Sequence, residues 1–202
     1  MKKIFATALL LCLTMLYINA AAPIQPGKYK KWNKLIDELN IKETFNLADY
    51  ETIYLLTMPT DEVELPKRDD NNYEPVQQAL KDVNEQFRNG IVKIQKGKDV
   101  QSITKRSEVT NKNALILTIQ VKKMNPGSRG LRVFIGYGAG TAMVQLSGTA
   151  EDAQTGHTLL IWTHQRISPL DTRNTHSVLN TNTQLIGRDI GIMLQKFMLE
   201  TK

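Results

Sequence analysis

The run ALILTIQVKKM, residues 114–124, narrows the choice of fold more than any other part of the chain. Its first half is apolar at every position, as in a strand covered on both faces of a sheet. Downstream, TAMVQLSGTAEDAQTGHTLLIWTHQRI reads as a hairpin, with Ala142, Val144 and Leu146 before the reversal and Leu160, Trp162 and Gln165 after it. Its turn, EDAQTG, supplies Asp152 and Gly156, residues suited to a tight reversal.

The rest of the chain adds helices early and late. Trp32, Leu35, Ile36 and Leu39 recur at helical spacing in KWNKLIDELNIKETF, which predicts a short amphipathic helix. A strand follows over Ile53–Met58, ended by Pro59, and then an acidic, proline-bounded loop. From Pro75, residues Val76, Leu80, Val83 and Phe87 form one face of a second helix that Asn89-Gly90 closes. IVKIQKG is expected to be a short strand, and GKDVQSITKRSEVTNKN either a loop or a poor helix. Leu185, Ile186, Ile190, Met193, Leu194 and Phe197 predict a C-terminal helix capped by Asn180 or Thr181. The order of elements implies one α+β domain over residues 31–202, with a mixed sheet of about five strands and helices packed on one side.

The first residues, MKKIFATALLLCLTMLYINAAAP, have the charged start, apolar core and small-residue end of a secretory signal. The apolar core is too short to span a bilayer, which takes about 20 residues. Residues 1–20 are therefore expected to be removed and 21–30, with two prolines and a glycine, to form a tether. Cys12, the one cysteine, lies inside the signal, and Leu11 stands before it where a lipoprotein signal needs a small residue. The exported chain would hold no thiol, no disulfide and no lipid anchor, a composition that suits a bacterial periplasm or envelope. Its charge is unevenly spread. Residues 37–70 carry ten acids against three bases, and residues 88–132 eleven bases against two acids. Either the surface is strongly dipolar, or the two segments face each other.

The most unusual stretch is GSRGLRVFIGYGAGTA, residues 127–142. A dinucleotide fingerprint starting at Gly136 needs a glycine where Thr141 stands, and one starting at Gly138 needs it where Met143 stands. TAMVQLSG continues as strand, so there is no helix N-terminus to hold a pyrophosphate. Leu131, Val133 and Ile135 alternate with Arg132, Phe134 and Gly136, which predicts a strand stripped of side chains at Gly136, Gly138 and Gly140. Tyr137 would stand alone on that surface. The stretch is either a bent strand packed tightly under a helix, or a patch facing a partner or lipid.

These residues carry a resemblance. PGSRGLRVFIGYGAGTAMVQLSGTAEDAQTGHTL resembles the core of the exported bacterial domain-of-unknown-function family 4410, through Pro126, Gly127, Ser128, Arg129, Arg132, Gly136, Gly138, Ala139, Gly140, Asp152, Thr155 and Gly156. More distantly, a strand ending in D-x-x-T-G is similar to the periplasmic domains of curli-type secretion lipoproteins. The resemblance implies an address and a fold, with no catalytic residues, and the missing lipobox departs from the family's frequent lipid anchor.

Little in the chain points to catalysis. His157 and His164 lie seven apart on the hairpin's second strand, hence on opposite faces; they and His176 are expected at the surface or in turns. With no thiolate and no His-Glu-x-x-His, no metal site or cofactor is expected. No Gly-x-Ser-x-Gly elbow marks a nucleophile, and export disfavours a nucleic-acid partner. The expectation is a non-enzymatic binding or assembly accessory, with no transmembrane span after signal cleavage. It would contact an envelope protein or an anionic envelope surface through Lys122, Lys123, Arg129, Arg132, Gly136, Tyr137, Gly138 and Gly140. A purely structural domain and an enzyme acting on envelope material are the competing readings.

Overall fold

The structure, a computed structural model, describes residues 24–57, 59–60, 63–127, 140–168 and 173–198. Along them run β1 (Gly27–Trp32), β2 (Ile36–Ile41), β3 (Thr52–Leu56), α1 (Tyr73–Ile94), β4 (Asp99–Ile103), β5 (Ala114–Asn125), β6 (Ala142–Asp152), β7 (Thr158–Ser168) and α2 (Thr175–Gln195). All the strands join one sheet in the order β1-β2-β7-β6-β5-β3-β4. β3 runs parallel to its neighbours β4 and β5, and the remaining pairings are antiparallel. The class is α+β with a mixed sheet, as expected, but the described residues form seven strands rather than the expected five or so.

The extra pair is the β1–β2 hairpin, formed where a helix was expected; β1 also takes in Gly27–Lys30 of the expected tether. The spacing of Trp32, Leu35, Ile36 and Leu39 fits a helical stripe, yet it fits equally two strands meeting at a turn. Left-handed backbone at Asn33 (φ 49°) and Lys34 (φ 57°) reverses the chain, and Trp32 then pairs with Ile36. β7 decides the matter by offering β2 a ladder, in which Leu39 lies opposite Trp162 and Ile41 opposite Leu160. Tertiary pairing overrides the local pattern.

β5 is the two-sided strand its sequence implies. Leu115, Leu117, Ile119 and Val121 enter the large core together with both helices, while Ala114 and Ile116 join Tyr54 and Ile103 in a smaller cluster on the other side. The large core centres on Trp162, whose ring lies parallel to Phe87 of α1 at 6.2 Å.

Gly90 does not close α1, which continues through it to Ile94. A Cβ on Gly90 would lie 2.2 Å from the carbonyl oxygen of Gln184, and one on Gly187 would lie 2.2 Å from that of Phe87. The glycines let α1 and α2 touch backbone to backbone, a close-approach role rather than a stop. Ile91–Ile94, expected to be a strand, is therefore the last turn of α1, and the strand comes at Asp99–Ile103 within the stretch left undecided. α2 starts earlier than expected. Asn174 caps it by accepting from the Ser177 N–H at 2.8 Å, while the Thr181 hydroxyl, inside the helix, donates to the Ser177 carbonyl. Among the described residues no helix is long and apolar enough to cross a membrane.

Candidate functional site

Lys122 and Lys123 owe their position to an irregularity in β5. Val121 lies opposite Leu146 and Lys123 opposite Gln145, so Lys122 is an extra residue in the ladder. Without that bulge Lys123 and Val121 would share the inward face; with it, Val121 and Met124 are both buried and the two lysines between them are both exposed. Lys122 donates to the Gln120 side chain, and Lys123 has no carboxylate partner among the described residues. A cavity of about 490 Å³ opens beside them, lined also by Val63, Glu64, Leu65 and Pro66. Part of the acidic run thus faces part of the basic one.

Just beyond the lysines the chain is pinched. The Asn125 side chain accepts from the Gly127 N–H at 2.9 Å, and Gly127 is left-handed at φ 62°. A Cβ on Gly127 would stand 2.1 Å from the carbonyl oxygen of Gly140 and 2.4 Å from that of Thr141. Gly140 is left-handed too, at φ 75°. Gly127 is required because two backbones meet here with no room for a side chain, and Gly140 because its backbone is left-handed. Arg129, Arg132, Gly136, Tyr137 and Gly138, and the strand expected around them, lie outside the described residues.

The other half of the resemblance, Asp152, Thr155 and Gly156, closes the opposite end of the β6–β7 hairpin. Asp152 Oδ1 accepts from the N–H groups of Gln154 (2.8 Å) and Thr155 (2.7 Å) and from the Thr155 hydroxyl (3.1 Å). Its Oδ2 accepts from the Tyr50 hydroxyl at 2.9 Å. Gly156 takes the left-handed position at φ 73°, and its N–H reaches the Asp152 carbonyl. Burial disfavours the Asp152 carboxylate, but the donors of Thr155, Tyr50 and Gln154 outweigh it and hold its pKa below the ordinary value. The same contact, with burial first, pushes the Tyr50 phenol up. This motif is a turn lock.

A polar network that the sequence did not reveal lies where α2 crosses the sheet. His164 is buried, with Nδ1 2.8 Å from Asp37 Oδ2 and Nε2 3.0 Å from Asp189 Oδ2. Arg166 Nε donates to the same Asp189 oxygen at 2.6 Å, and the Gln165 N–H donates to Asp37 at 2.9 Å. Both imidazole contacts are hydrogen bonds at once when each ring nitrogen carries a proton. Asp37, His164, Asp189 and Arg166 thus form one continuous line of polar contacts. Asp189 is wholly buried, which a carboxylate tolerates only when so paired. The network ties α2 to β2 and β7.

That placement corrects the expected surface position of His164. His157, exposed, precedes β7 and lies 3.4 Å from Glu43, whereas His176 bonds Asp82 at 2.6 Å and joins α2 to α1. A signal for the network was present: Asp189 stands beside Ile190 and three residues after Ile186, a carboxylate on a mainly apolar stripe. Among the described residues no group of three or more His, Cys, Asp or Glu is placed to hold a metal ion.

Comparison with solved structures finds a PelC dodecamer from Paraburkholderia phytofirmans at 14% identity and a TM-score of 0.43, covering 76% of this chain and 96% of that one. A putatively assigned neuraminyllactose-binding hemagglutinin homolog from Helicobacter pylori follows at 12% identity and a TM-score of 0.30, covering 89% of this chain and 90% of that one. No curated protein matches the chain. The model of the domain of unknown function DUF4410 matches residues 53–164, more than half of the chain, and the protein belongs to that family.

Proposed function

We propose that the protein is an exported, non-enzymatic binding or assembly accessory of the bacterial envelope. Its contact surface is the sheet end that carries Lys122 and Lys123, continued by the stretch from Arg129 to Gly140. The observation that supports this reading most is the β5 bulge, which turns two adjacent lysines outward immediately before the Gly127–Gly140 neck. A regular strand would have sent one of them into the core. Rim charges of this kind steer encounter with an oppositely charged surface.

Charge reversal tests the reading. Lys122→Glu with Lys123→Glu is expected to leave the unfolding midpoint within the range of neutral surface changes, about 0.5 kcal/mol, while abolishing co-purification with envelope components. Retained co-purification contradicts the proposal. Loss of folding with no specific partner favours a purely structural role for this end of the sheet.

A further inference from the structure

The β1–β2 turn overhangs a second cleft, on the helix-covered side of β7 and separate from the surface of Lys122 and Lys123. Its cavity of about 310 Å³ is lined by Lys31, Lys34, Asp37, His164 and Arg166, among others. Three of these side chains are cations at neutral pH. The carboxylate among them, Asp37, already has its Oδ2 engaged by His164 and by the Gln165 N–H.

Arg166 is held from behind. Its Nε and one terminal nitrogen bond the buried Asp189 carboxylate, which fixes the plane of the guanidinium. Arginine carries five N–H donors, so the remaining three are free to serve the cleft. Lys31 and Lys34 make no ion pair with a carboxylate among the described residues.

The backbone of the two lysines is unusual. Lys31 has φ 48° and Lys34 φ 57°, on either side of Asn33 at φ 49°. Asparagine and glycine visit this region readily, whereas lysine has a Cβ that crowds the following carbonyl. A turn shaped for stability alone would carry glycine at these places, as the Gly156 turn does. Strain retained at a residue over a cleft points to a use for its side chain.

We infer that this cleft binds a phosphate group, held between the Arg166 guanidinium and the Lys31 and Lys34 ammonium groups. Phosphate suits the arrangement because its charge and its several acceptor oxygens answer one planar fork and two point charges at once. The group belongs either to free inorganic phosphate or to an anionic phospholipid headgroup. The inference does not rest on the proposed envelope contact.

Calorimetric titration of the purified protein with inorganic phosphate tests it, alongside sedimentation with phosphatidylglycerol vesicles and with phosphatidylcholine vesicles. Saturable binding to phosphate or to phosphatidylglycerol is expected, weakened about fivefold or more by Lys31→Gly or Lys34→Gly. The thermal midpoint should not fall in either variant, which separates loss of charge from loss of fold. Phosphate saturation identifies the free ion; selective phosphatidylglycerol binding without it identifies the headgroup, and both support the inference. Failure to bind either probe overturns it. So does a loss in the glycine variants no larger than that caused by Lys112→Gln, remote on the opposite end of the sheet.

Discussion

The two ends of the sheet spend their charges differently. At the end where β6 turns into β7, several polar and charged groups are engaged within the molecule. Asp152 locks its own turn and holds Tyr50, Arg106 pairs with Glu151, and Lys98 donates to the carbonyls of Leu47 and Tyr50. At the other end lie the β1–β2 turn, the β5 bulge and the Gly127–Gly140 neck, and there Lys31, Lys34 and Lys123 have no carboxylate partner among the described residues. At the first end Gly156 takes the left-handed position of the turn; at the second the neck uses Gly127 and Gly140, but the β1–β2 turn puts Lys31 and Lys34 there. On the proposed reading, the first end is shaped for stability and the second for contact.

The largest blow to this division is expected beneath the lysine turn. Asp189→Ala removes the counter-ion of Arg166 and one hydrogen-bond partner of His164, and should destabilise by about 3–5 kcal/mol in urea unfolding. A small effect would mean that the network is not what anchors this end. Asp152→Ala comes next: it removes the acceptor of several donors, at a cost of about 2–3 kcal/mol, read in the same measurement. The reciprocal exchange of turn residues sharpens the comparison further. Gly156→Lys should cost about 1–2 kcal/mol, because the left-handed region is strained for a residue with a Cβ. Lys34→Gly should gain up to about 1 kcal/mol, the relieved strain outweighing the extra chain entropy of glycine.

The smallest effect is on acid stability. Asp152 is held below the ordinary carboxylate pKa by donors that outweigh burial, and Asp82 by hydrogen bonds from Asn180, His176 and Gln78. A folded pKa below the unfolded one gives stability that is fully present above the unfolded value, about 3.9, and lost as pH falls through the folded value. Asp152→Asn and Asp82→Asn should therefore each flatten the decline in unfolding free energy below about pH 4. An unchanged acid limb would show that these carboxylates are not favoured by the fold.

Much of the fold was legible because it rests on period. β5, β6 and β7 and the apolar faces of α1 and α2 follow from alternation or helical spacing that the packing preserves. The β1–β2 hairpin was not legible, since the spacing from Trp32 to Leu39 suits two structures and only β7 chooses between them. Gly90 misled for a similar reason. A glycine that ends a helix and one that admits another helix look alike until Gly187 is seen opposite. At the candidate site, the lysines at 122 and 123 were visible as charges, but the bulge that turns both outward depends on the register with Leu146 and Gln145. Lys31 and Lys34 gave no signal, because lysine does not ordinarily mark a left-handed turn.

The most direct test of the contact end is photo-crosslinking in living cells, with the reactive group placed at Lys123 and, for comparison, at Gln154 in the opposite turn. The account predicts a discrete adduct with an envelope component from position 123 and none from position 154. Equal adducts from both positions, or adducts from 154 alone, would contradict it.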